Sequence, residues 1–429
     1  MAWDFETDPE FEEQLVWARE FVRDEVTPLE LIDADQDVID RIMVPMKEEV
    51  KRRGMWAAHL EPELGGGGWG QVKLGLLHEI LGATYYAPQV FGNNAPDSGN
   101  AELIALGSKS DEQKEKWLYP LLEGKLRSAF SMTEPGAGAD PTLISTQAVR
   151  DGDEWVINGH KWFTSHGSVS DFLLVMLVTN PDVHPRQGIS MIIVPTDTPG
   201  VDVVRDIPTM EHPVEHFGKM GGHSEVIYRD VRVPYENLVG NEGDGFVLAQ
   251  KRLGPGRIHH AMRWLGQSRR AFDMLCERAV SRYTHGSYLA EKQTIQNWVA
   301  DSMAEMTQAR LLTLYAAWKM DKVGAANARV EIAMIKFAGA QVLYNVIDRA
   351  LQVYGSLGFS TDMPLEHMYR AARAARIYDG PDEVHRVTVA RQILKGYKPV
   401  EVPTEHVPTR RRAAIEKFAE YLDVAAVNT

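Results

Sequence analysis

The chain has 429 residues, of which 44% are hydrophobic, and carries a formal net charge of −14 at pH 7. This length exceeds what one hydrophobic core fills and indicates two or three domains. The acidic balance argues against non-specific nucleic-acid binding, which depends on Lys and Arg contacts to phosphates. A single cysteine, Cys276, excludes internal disulfide bonds and cysteine-based metal clusters.

No targeting or membrane-spanning segment is recognised in the sequence. No apolar run reaches the roughly 18 residues that cross a bilayer. The acidic segment Met1–Asp8 resembles neither a signal peptide nor an Arg-rich transit peptide. We therefore expect a cytoplasmic protein without a membrane span.

Residues 1–125 are predicted to form a helical N-terminal domain. Apolar residues recur at helical spacing near its start, ahead of Pro28: Phe11, Leu15, Ala18, Phe21 and Val22. The segment Gly65–Gly70 satisfies G-x-G-x-x-G, but a dinucleotide site needs a strand before the glycines and a helix after them in a βαβ unit. The neighbourhood is helical and Pro62 lies close by, so we interpret the segment as a glycine loop.

Residues 126–240 change character and are predicted to form a small β-barrel or sandwich. Asp151-Gly152 and Asn158-Gly159 are hairpin signals on either side of Glu154–Ile157. Two further short apolar strands are expected at Phe172–Val178 and Ile189–Val194.

Two glycine-containing stretches in this region, Ser131–Asp140 and Asn158–Gly167, describe a pocket for a flat ring. Pro135-Gly136 suits a type II turn in which the glycine supplies a positive φ. Small side chains at 136–139 let backbone N–H groups approach a ligand closely. If 160–164 is a strand, Trp162 and Thr164 lie on one face.

Residues 241–398 return to long helical patterns and are predicted to form a C-terminal helical bundle. Two long stretches with few breakers are Gln308–Lys322 and Val330–Val353. Residues 399–429 form a C-terminal extension with a possible helix at 410–423. The fold class is thus mostly α with a central β domain.

Asp379 is expected at a junction between two helices. Leu365–Tyr378 has a helical pattern, Gly380 ends it, and Pro381 suits the first turn of the next helix. From the segment alone, Asp379 is equally consistent with a helix cap or a surface turn.

A metal site is not expected. His212 and His216 are four residues apart, but Pro213 fits poorly inside a helix and no H-E-x-x-H motif is present. We interpret this segment as a polar loop.

Taken in order, several segments resemble the acyl-CoA dehydrogenase family. They comprise the two glycine stretches, Val231–Pro234 with Gly240 and Gly243–Phe246, Gln352–Phe359, and Tyr378–Arg386. The resemblance runs from about residue 10 to 398. It implies FAD as cofactor and α,β-dehydrogenation of an acyl-CoA thioester, with electrons passed to an electron-transferring flavoprotein. It also implies a homodimer or homotetramer.

The resemblance implies a role for each matching residue, with Asp379 as the catalytic base. The implied flavin-binding residues are Phe130, Met132, Thr133, Gly138, Ala139, Trp162, Phe163, Thr164, Pro381 and Glu383. Those implied for the adenosine-diphosphate half of FAD, with Arg282 reaching the FAD of a neighbouring subunit, are Arg282, Gln293, Gln352, Gly355 and Ser356. The implied substrate residues are Ala139, Arg257, Tyr378 and Gly380.

The sequence departs from the family pattern at the base. The family usually carries Glu where this chain has Asp379, and the shorter side chain sets the carboxylate back by roughly 1 Å, a displacement that can cost about 100-fold in rate. Some members carry the base on another helix, at the position of Gly256, which offers no substitute. Pro381, Glu383 and Ala139 also replace family residues that bind through polar side chains.

The form of the Asp379 segment most resembles the branch containing family members 10 and 11, which is associated with longer or branched acyl groups. Two alternatives stay open. An aspartate base also resembles nitroalkane oxidase, a relative that removes a proton from a nitroalkane. A non-enzymatic flavoprotein of the same fold would use Asp379 only as a structural cap.

Overall fold

The computed structural model describes residues 7–32, 34–212, 222–399 and 407–422. The chain divides into a large unit, residues 1–386, and a small C-terminal unit, residues 387–429. Helices occupy the first part of the large unit, strands the middle and long helices the last part, which confirms the predicted fold class.

The first part contains seven helices in its described residues. They are α1 Pro9–Phe21, α2 Gln36–Arg52, α3 Gln71–Leu81, α4 Ala87–Val90, α5 Asp97–Gly107, α6 Asp111–Gln113 and α7 Tyr119–Leu122. Helix α1 begins after Asp8, whose carboxylate accepts a hydrogen bond from the Phe11 N–H, and Pro9 occupies the first turn. Its apolar residues pack into a core shared with α2 and α3.

The glycine-rich segment Gly65–Gly70 is a loop, as expected. It lies between a short 3₁₀ turn, Pro62–Leu64, and α3, and residues 34–122 contain no strand that could precede a dinucleotide site. A side chain at Gly66 would collide with the Leu60 carbonyl.

The middle part is one eight-stranded sheet. Its strands are β1 Ser128–Ser131, β2 Gln147–Asp151, β3 Glu154–Ser165, β4 Phe172–Val178, β5 Ile189–Pro195, β6 Val201–Asp206, β7 His223–Pro234 and β8 Leu238–Val239, with α8 Pro185–Gly188 between β4 and β5. The order is β6-β7-β3-β2-β4-β5-β8, and β1 pairs in parallel with β4. The β2–β4 junction is a single residue pair, Gln147 with Val178.

Strands β4 and β5 are buried on both faces. Leu173 and Val175 belong to a core that includes Trp155 and Val226 from β3 and β7. The intervening residues of β4, such as Leu174, pack instead with residues of α5 and the segment before α7. The sheet therefore encloses one apolar core and presents a second face to the N-terminal helices.

One predicted hairpin forms and the other does not. Asp151 pairs with Glu154 across a two-residue turn in which Gly152 has φ 64°. Asn158-Gly159 instead lies inside β3, at a shift in its pairing with β7. Gly159 packs so closely on Thr146 that a side chain would collide with it, which explains the glycine without a turn.

The last part of the large unit is a helical bundle. Its elements are α9 Gly245–Ser281, a short hairpin of β9 Tyr283–Thr284 and β10 Ser287–Tyr288, α10 Gln293–Val323, α11 Arg329–Tyr354 and α12 Leu365–Ala374. The next helix, α13 Asp382–Leu394, begins in the large unit, and its residues from 387 onward belong to the C-terminal unit. Helices α9, α10, α11 and α12 share one apolar core. Helix α11 is long and apolar enough to cross a membrane by length and composition, but 56% of its most apolar window is buried inside the protein. That burial is typical of a core helix.

The C-terminal unit contains α14, Pro408–Lys417, followed by a 3₁₀ turn at Ala419–Tyr421. The helix expected at 410–423 is therefore shorter than predicted, and residue 423 lies outside the described residues. Apart from Ile415, its described side chains are exposed.

Candidate active site

A buried ion pair holds the first glycine stretch against β3. Both Glu134 and Lys161 are buried, and the Lys161 Nζ lies 2.9 Å from a Glu134 carboxylate oxygen. The same carboxylate accepts hydrogen bonds from the N–H and hydroxyl of Ser145, at 2.8 and 2.7 Å, and from the N–H of Thr146, at 2.9 Å. Lys161 also donates to the Met132 carbonyl at 2.7 Å. The loop that contains Met132 and Thr133 is thus fixed to the sheet.

Both partners of this pair are charged at pH 7. Burial raises the pKa of Glu134, but Lys161 and the donors from Ser145 and Thr146 outweigh it and bring the pKa to about 2. Burial lowers the pKa of Lys161 to about 8, against the opposing effect of Glu134. The surrounding hydrogen bonds compensate the cost of burying the two charges.

The turn that follows differs from the predicted type. Glu134 and Ala137 exchange two backbone hydrogen bonds, of 3.0 and 3.1 Å, so a tight turn forms. Gly136, however, does not adopt the left-handed φ that a type II turn requires at that position. A Cβ added at Gly136 or Gly138 would meet no atom within 4 Å. Neither backbone conformation nor crowding within the described chain explains these glycines, whereas close approach of a ligand does.

Strand β3 contains a bulge where regular alternation was assumed. Lys161 pairs with Val226 and Thr164 pairs with Ser224, so one extra residue lies in β3 between them, and Phe163 has φ 50°. Lys161 and Thr164 are buried, Trp162 is half-buried and Phe163 is 44% exposed. The prediction that Trp162 and Thr164 share a face by simple alternation therefore does not hold across this bulge.

The Thr164 hydroxyl belongs to an internal network. It lies 3.2 Å from the Ser131 hydroxyl, which in turn lies 2.9 Å from the Tyr228 hydroxyl. The backbone N–H of Trp162 donates to the backbone carbonyl of Thr133 at 3.0 Å, which joins the two glycine stretches directly. The edge of the Trp162 ring contacts the Phe163 ring, with centroids 5.3 Å apart.

Asp379 lies at the predicted junction between α12 and α13, in an unusual backbone conformation. Its φ is 54° and that of Gly380 is 96°. A non-glycine residue with this φ is strained, and such strain clusters at functional sites. The Asp379 carbonyl accepts hydrogen bonds from Arg257, at 3.3 and 3.1 Å, and lies 3.1 Å from the His385 Nε2. These contacts hold the strained backbone in place.

The Asp379 carboxylate lies among cationic groups. Its Oδ2 is 3.5 Å from the His260 Nε2, and its side chain is 23% exposed. Burial raises the pKa of Asp379, but His260, Arg257, Arg252 and Lys336 outweigh it and hold the pKa below the usual value of 3.8. Asp379 is therefore an ionised carboxylate at pH 7, with no hydrogen bond of standard length to its carboxylate oxygens from the described residues.

Lys336 contributes a positive charge from the core of α11. It is fully buried and donates to the Ala375 carbonyl at 2.6 Å. Its Nζ lies 5.3 Å from the centre of the Trp264 ring and 5.2 Å from that of Tyr378. The Trp264 indole N–H donates to the Tyr378 hydroxyl at 2.8 Å. Tyr378, an expected substrate residue, thus forms part of the wall beside Asp379.

Arg252 connects the flavin-side residues to the Asp379 cluster. Its guanidinium lies 4.2 Å from the centre of the Phe130 ring, at the end of β1, and its charge acts on Asp379. Its side chain runs over Gly99 of α5, where a Cβ would collide with it. Arg252 therefore links Phe130, the residue just before the first glycine stretch, to the charges around Asp379.

The other positions considered in this region differ in how crowded they are. Gly256 lies inside α9 beside Arg257, and a Cβ added there would meet nothing within 4 Å. Ala139 and Glu383 are exposed, and Pro381 is half-buried and precedes α13. A Cβ at Gly380 would lie 2.9 Å from the His385 Nε2, so this glycine is required by both its φ and its neighbour.

The residues expected on the adenosine-diphosphate half of FAD form a separate group. Arg282 ends α9, Gln293 begins α10, and Gln352, Gly355 and Ser356 lie at the end of α11. The ends of α9 and α11 meet where Arg278 stacks on Tyr354, at 5.4 Å. Across the described residues, no hydrogen bond or ion pair joins this group to Asp379 or Glu134.

A metal site finds no support in the described residues, where no group of three His, Cys, Asp or Glu side chains is placed to hold an ion. Of the polar loop that contains the two histidines, residues 213–216 lie outside the described residues.

Several site residues escaped the sequence analysis. They are Glu134, Lys161, Arg252, His260, Arg263, Trp264, Lys336 and His385. Two signals were present in the sequence. Arg257, His260 and Arg263 are spaced three residues apart, which places them near one face of a helix. Lys336 is the single charged residue of the apolar stretch 332–347. A lone charge inside an apolar helix is expensive and marks a candidate site.

The candidate site combines an ionised carboxylate on a backbone of positive φ with an open glycine loop, and the helix–sheet–helix order of the chain is that of flavin-dependent dehydrogenases. Family models agree with this class. The acyl-CoA dehydrogenase N-terminal, middle and C-terminal domain models match residues 8–125, 129–217 and 243–394, respectively. The chain belongs to the acyl-CoA dehydrogenase family, and it is an FAD-binding oxidoreductase of that family.

Relatives extend this assignment. The chain is 45% identical over 361 residues to a Mycobacterium tuberculosis protein named probable acyl-CoA dehydrogenase FadE2, covering 83% of this chain and 86% of that protein. It is 42% identical over 410 residues to mouse acyl-CoA dehydrogenase family member 10, covering 91% of this chain. The match covers 37% of the length of mouse family member 10 and 50% of the length of human family member 11. Both relatives are therefore much longer than the matched region.

Among solved structures, butyryl-CoA dehydrogenase from Megasphaera elsdenii aligns with a TM-score of 0.77 and 29% identity, covering 91% of this chain and all of that one. An acyl-CoA dehydrogenase from Geobacillus kaustophilus aligns with a TM-score of 0.75 and 26% identity, covering 91% of this chain and all of that one. The resemblance to the branch of family members 10 and 11 is thereby confirmed.

Proposed function

We propose that this protein catalyses the FAD-dependent α,β-dehydrogenation of an acyl-CoA thioester, with Asp379 as the general base. The observation that carries the proposal is the state of the Asp379 carboxylate. It is ionised, held on a strained backbone by Arg257 and His385, and free of short hydrogen bonds among the described residues. A carboxylate with free lone pairs beside an open space is suited to accept a proton.

The chain supplies two further functions for this reaction. Bound FAD would supply the hydride acceptor. Removing a proton next to a thioester carbonyl needs a donor to that carbonyl oxygen. The backbone N–H groups of Asp379 and Gly380 have no acceptor among the described residues, so either can serve. The three cationic side chains near Asp379, which are Arg257, Arg252 and Lys336, favour negative charge developing beside it.

The residues of the first glycine stretch fit a flat cofactor. Gly136 and Gly138 leave open space above a turn that Glu134 and Lys161 hold rigidly. Phe130 and Trp162 offer apolar ring surface at the edge of the same loop. These features support binding of the flavin by Phe130, Met132, Thr133, Gly138, Ala139 and residues 162–164.

The substrate class and partners follow from the family branch. A medium, long or branched acyl chain is proposed, because the matched relatives include family members 10 and 11. Electrons are proposed to pass to an electron-transferring flavoprotein in the cytoplasm. The separate group around Arg282 and Gln352 is proposed to bind the adenosine-diphosphate half of a neighbouring subunit's FAD in a homodimer or homotetramer.

One alternative is a nitroalkane oxidase-like reaction on the same fold. The observation in its favour is that the base is Asp379, not the more usual Glu. A non-enzymatic flavoprotein is the other alternative, in which Asp379 is only a structural cap between two helices.

The deciding experiment is anaerobic flavin reduction by a panel of acyl-CoA thioesters, run beside nitroalkane plus oxygen. Bleaching of the flavin by an acyl-CoA supports the proposal. Reaction with the nitroalkane alone supports the oxidase, and no reaction with either class contradicts both. In Asp379→Asn, which keeps the shape but removes the acceptor, we expect FAD to remain bound and reduction to fall by about 10²–10⁴-fold.

Assembly is tested by sedimentation of the FAD-loaded protein and of Arg282→Ala. We expect a dimer or tetramer in which Arg282→Ala weakens FAD retention while Asp379 stays in place. A fully active, FAD-loaded monomer would contradict the assignment of Arg282 and Gln352 to a neighbouring subunit's cofactor.

A further inference from the structure

His260 lies beside the Asp379 carboxylate through its Nε2, and the contact of its Nδ1 with Arg263 determines its tautomer. The His260 Nδ1 lies 3.1 Å from the Arg263 Nη2. A guanidinium only donates hydrogen bonds, so Nδ1 must be the acceptor. Burial also lowers the pKa of His260 to about 3, which keeps the ring neutral at pH 7. A neutral ring whose Nδ1 accepts carries its proton on Nε2, the atom 3.5 Å from the Asp379 Oδ2.

Arg263 is itself immobilised. Its Nη1 lies 3.3 Å from the His78 Nδ1 of α3 and donates to the Asn93 carbonyl at 3.3 Å. The backbones of α3 and α9 meet at this level, because a Cβ on Gly82 would collide with the Arg263 main chain. The guanidinium therefore has little freedom to leave the His260 Nδ1, and the tautomer of His260 is fixed by packing.

Asp379 is held at its backbone and has one neighbour at its carboxylate. Arg257 and His385 bind its carbonyl and leave its side-chain torsions free. Among the described residues, the polar side-chain atom recorded within 4 Å of the carboxylate is the His260 Nε2, 3.5 Å from Oδ2. Oδ1 has no contact of this kind among the described residues and stays available.

We propose that His260 is a positioning residue: its Nε2–H holds the Oδ2 of Asp379, so that Oδ1 is presented to the substrate. Arg263 fixes the tautomer that this requires. The inference rests on the proposed role of Asp379 as base. It also explains how an acid one methylene shorter than Glu is held in a usable orientation, since a misplacement of about 1 Å costs about 100-fold.

The test compares two amide substitutions in the holoenzyme. In His260→Gln the amide nitrogen reaches the position of Nε2, and in His260→Asn it reaches only that of Nδ1. We expect His260→Asn to lower the rate of flavin reduction at saturating acyl-CoA by about 10–100-fold with KM within about threefold. His260→Gln should recover most of that loss. His259→Asn is the matched control, because His259 lies on the same helix, contacts Gln71 and stacks on His78; its rate should stay within about threefold.

A spectroscopic measurement tests the tautomer independently of activity. Nitrogen-15 spectra of histidine-labelled holoenzyme should assign to His260 a neutral ring with the proton on Nε2 at pH 7. A protonated ring, or a proton on Nδ1, would overturn the proposal.

Asp379→Asn separates this inference from the proposed function. If Asp379→Asn abolishes reduction and His260→Asn adds no further loss in that background, the two residues act as one unit and the proposal holds. If Asp379→Asn abolishes reduction but His260→Asn has no effect on its own, only the positioning role fails. If Asp379→Asn retains a near-normal rate, the proposed function itself fails. A rise in KM without a fall in rate would make His260 a substrate-binding residue and overturn its positioning role.

Discussion

Two carboxylates, Glu134 in the sheet part and Asp379 in the bundle part, have pKa values held below their usual range by nearby cations. Their hydrogen bonding differs completely. Glu134 accepts bonds from Ser145, Thr146 and Lys161 and is 4% exposed. Within the described part of the chain, the Asp379 carboxylate has cations around it but one close polar contact, at 3.5 Å, and its side chain is 23% exposed.

The difference teaches that charge and reactivity are separate properties of a buried acid. A carboxylate whose lone pairs are all occupied stabilises a loop, since a proton can reach it only after those bonds break. A carboxylate kept ionised by charges at a distance retains lone pairs that can take a proton. Counting hydrogen bonds to the oxygens, more than the direction of the pKa change, distinguishes the structural acid from the candidate base.

Replacing Glu134, whose carboxylate is fully hydrogen-bonded, should have the largest effect on the protein. In Glu134→Gln the buried Lys161 loses its partner, and we expect the free energy of unfolding to fall by about 3–5 kcal/mol, with loss of FAD, because the charge is left uncompensated. Urea unfolding and flavin content measure this. The matched control, Glu154→Gln, removes an exposed partner of Arg232 in the same sheet and should cost at most about 1 kcal/mol. Equal losses in both variants would contradict the structural role of Glu134.

Lengthening the side chain of Asp379 should have the next largest effect. In Asp379→Glu the carboxylate moves by about 1 Å relative to His260, and flavin reduction should slow by about 10–100-fold while FAD stays bound. Stopped-flow reduction with acyl-CoA measures this. A rate equal to or above that of the unaltered protein would mean that the pocket accepts either acid, and the short side chain would then have no role in positioning.

Filling the open space above the turn should affect the ligand and spare the fold. In Gly138→Ala we expect FAD to bind about tenfold more weakly, about 1.4 kcal/mol, with the apoprotein at least as stable, because the new Cβ meets nothing and the φ is not left-handed. Gly152→Ala is the opposite control: its φ of 64° predicts a loss of about 1–2 kcal/mol of stability without a change in FAD affinity. Unaltered FAD affinity in Gly138→Ala would remove this loop from the cofactor site.

The smallest expected effect is on the pH dependence of kcat/KM. The pKa of Asp379 lies below 3.8, so its carboxylate is ionised at pH values well above that. The negative charge is lost only as the pH falls through the lowered pKa. The kcat/KM profile, which reports the free enzyme, should therefore show no acidic limb from Asp379 between pH 5 and 8, a window of about three units. An acidic limb near pH 6 that Asp379→Asn abolishes would contradict the cationic environment described above.

Local patterns were enough to predict most of the fold. Helical periodicity in Phe11–Val22 and the apolar runs that became β4 and β5 predicted their elements, because each depends on burial of one face or both. The position of Asp379 between two helices also followed from Gly380 and Pro381. These signals lie within a few residues of the feature that they predict.

The features that could not be predicted depend on residues far apart in the chain. The bulge in β3 exists because of its register with β7, and Asn158-Gly159 is not a turn because Thr146 lies against it. The contact of Arg252 with Phe130 joins α9 to β1. Regular alternation and turn statistics contain no information on such neighbours, so they missed the bulge beside Trp162 and predicted the wrong φ for Gly136.

The buried charge of Lys336 sets a limit on how stable this protein can become. Its ammonium is bonded to a carbonyl and not to a carboxylate, in a stretch of α11 (residues 332–347) that contains no other charge, where a methionine would have a similar volume without the cost of dehydration. Selection for thermal resistance alone would remove this lysine. If Asp379 is the base proposed above, this lysine represents a stability–activity trade-off, in which part of the folding free energy is given up to keep a positive potential beside Asp379.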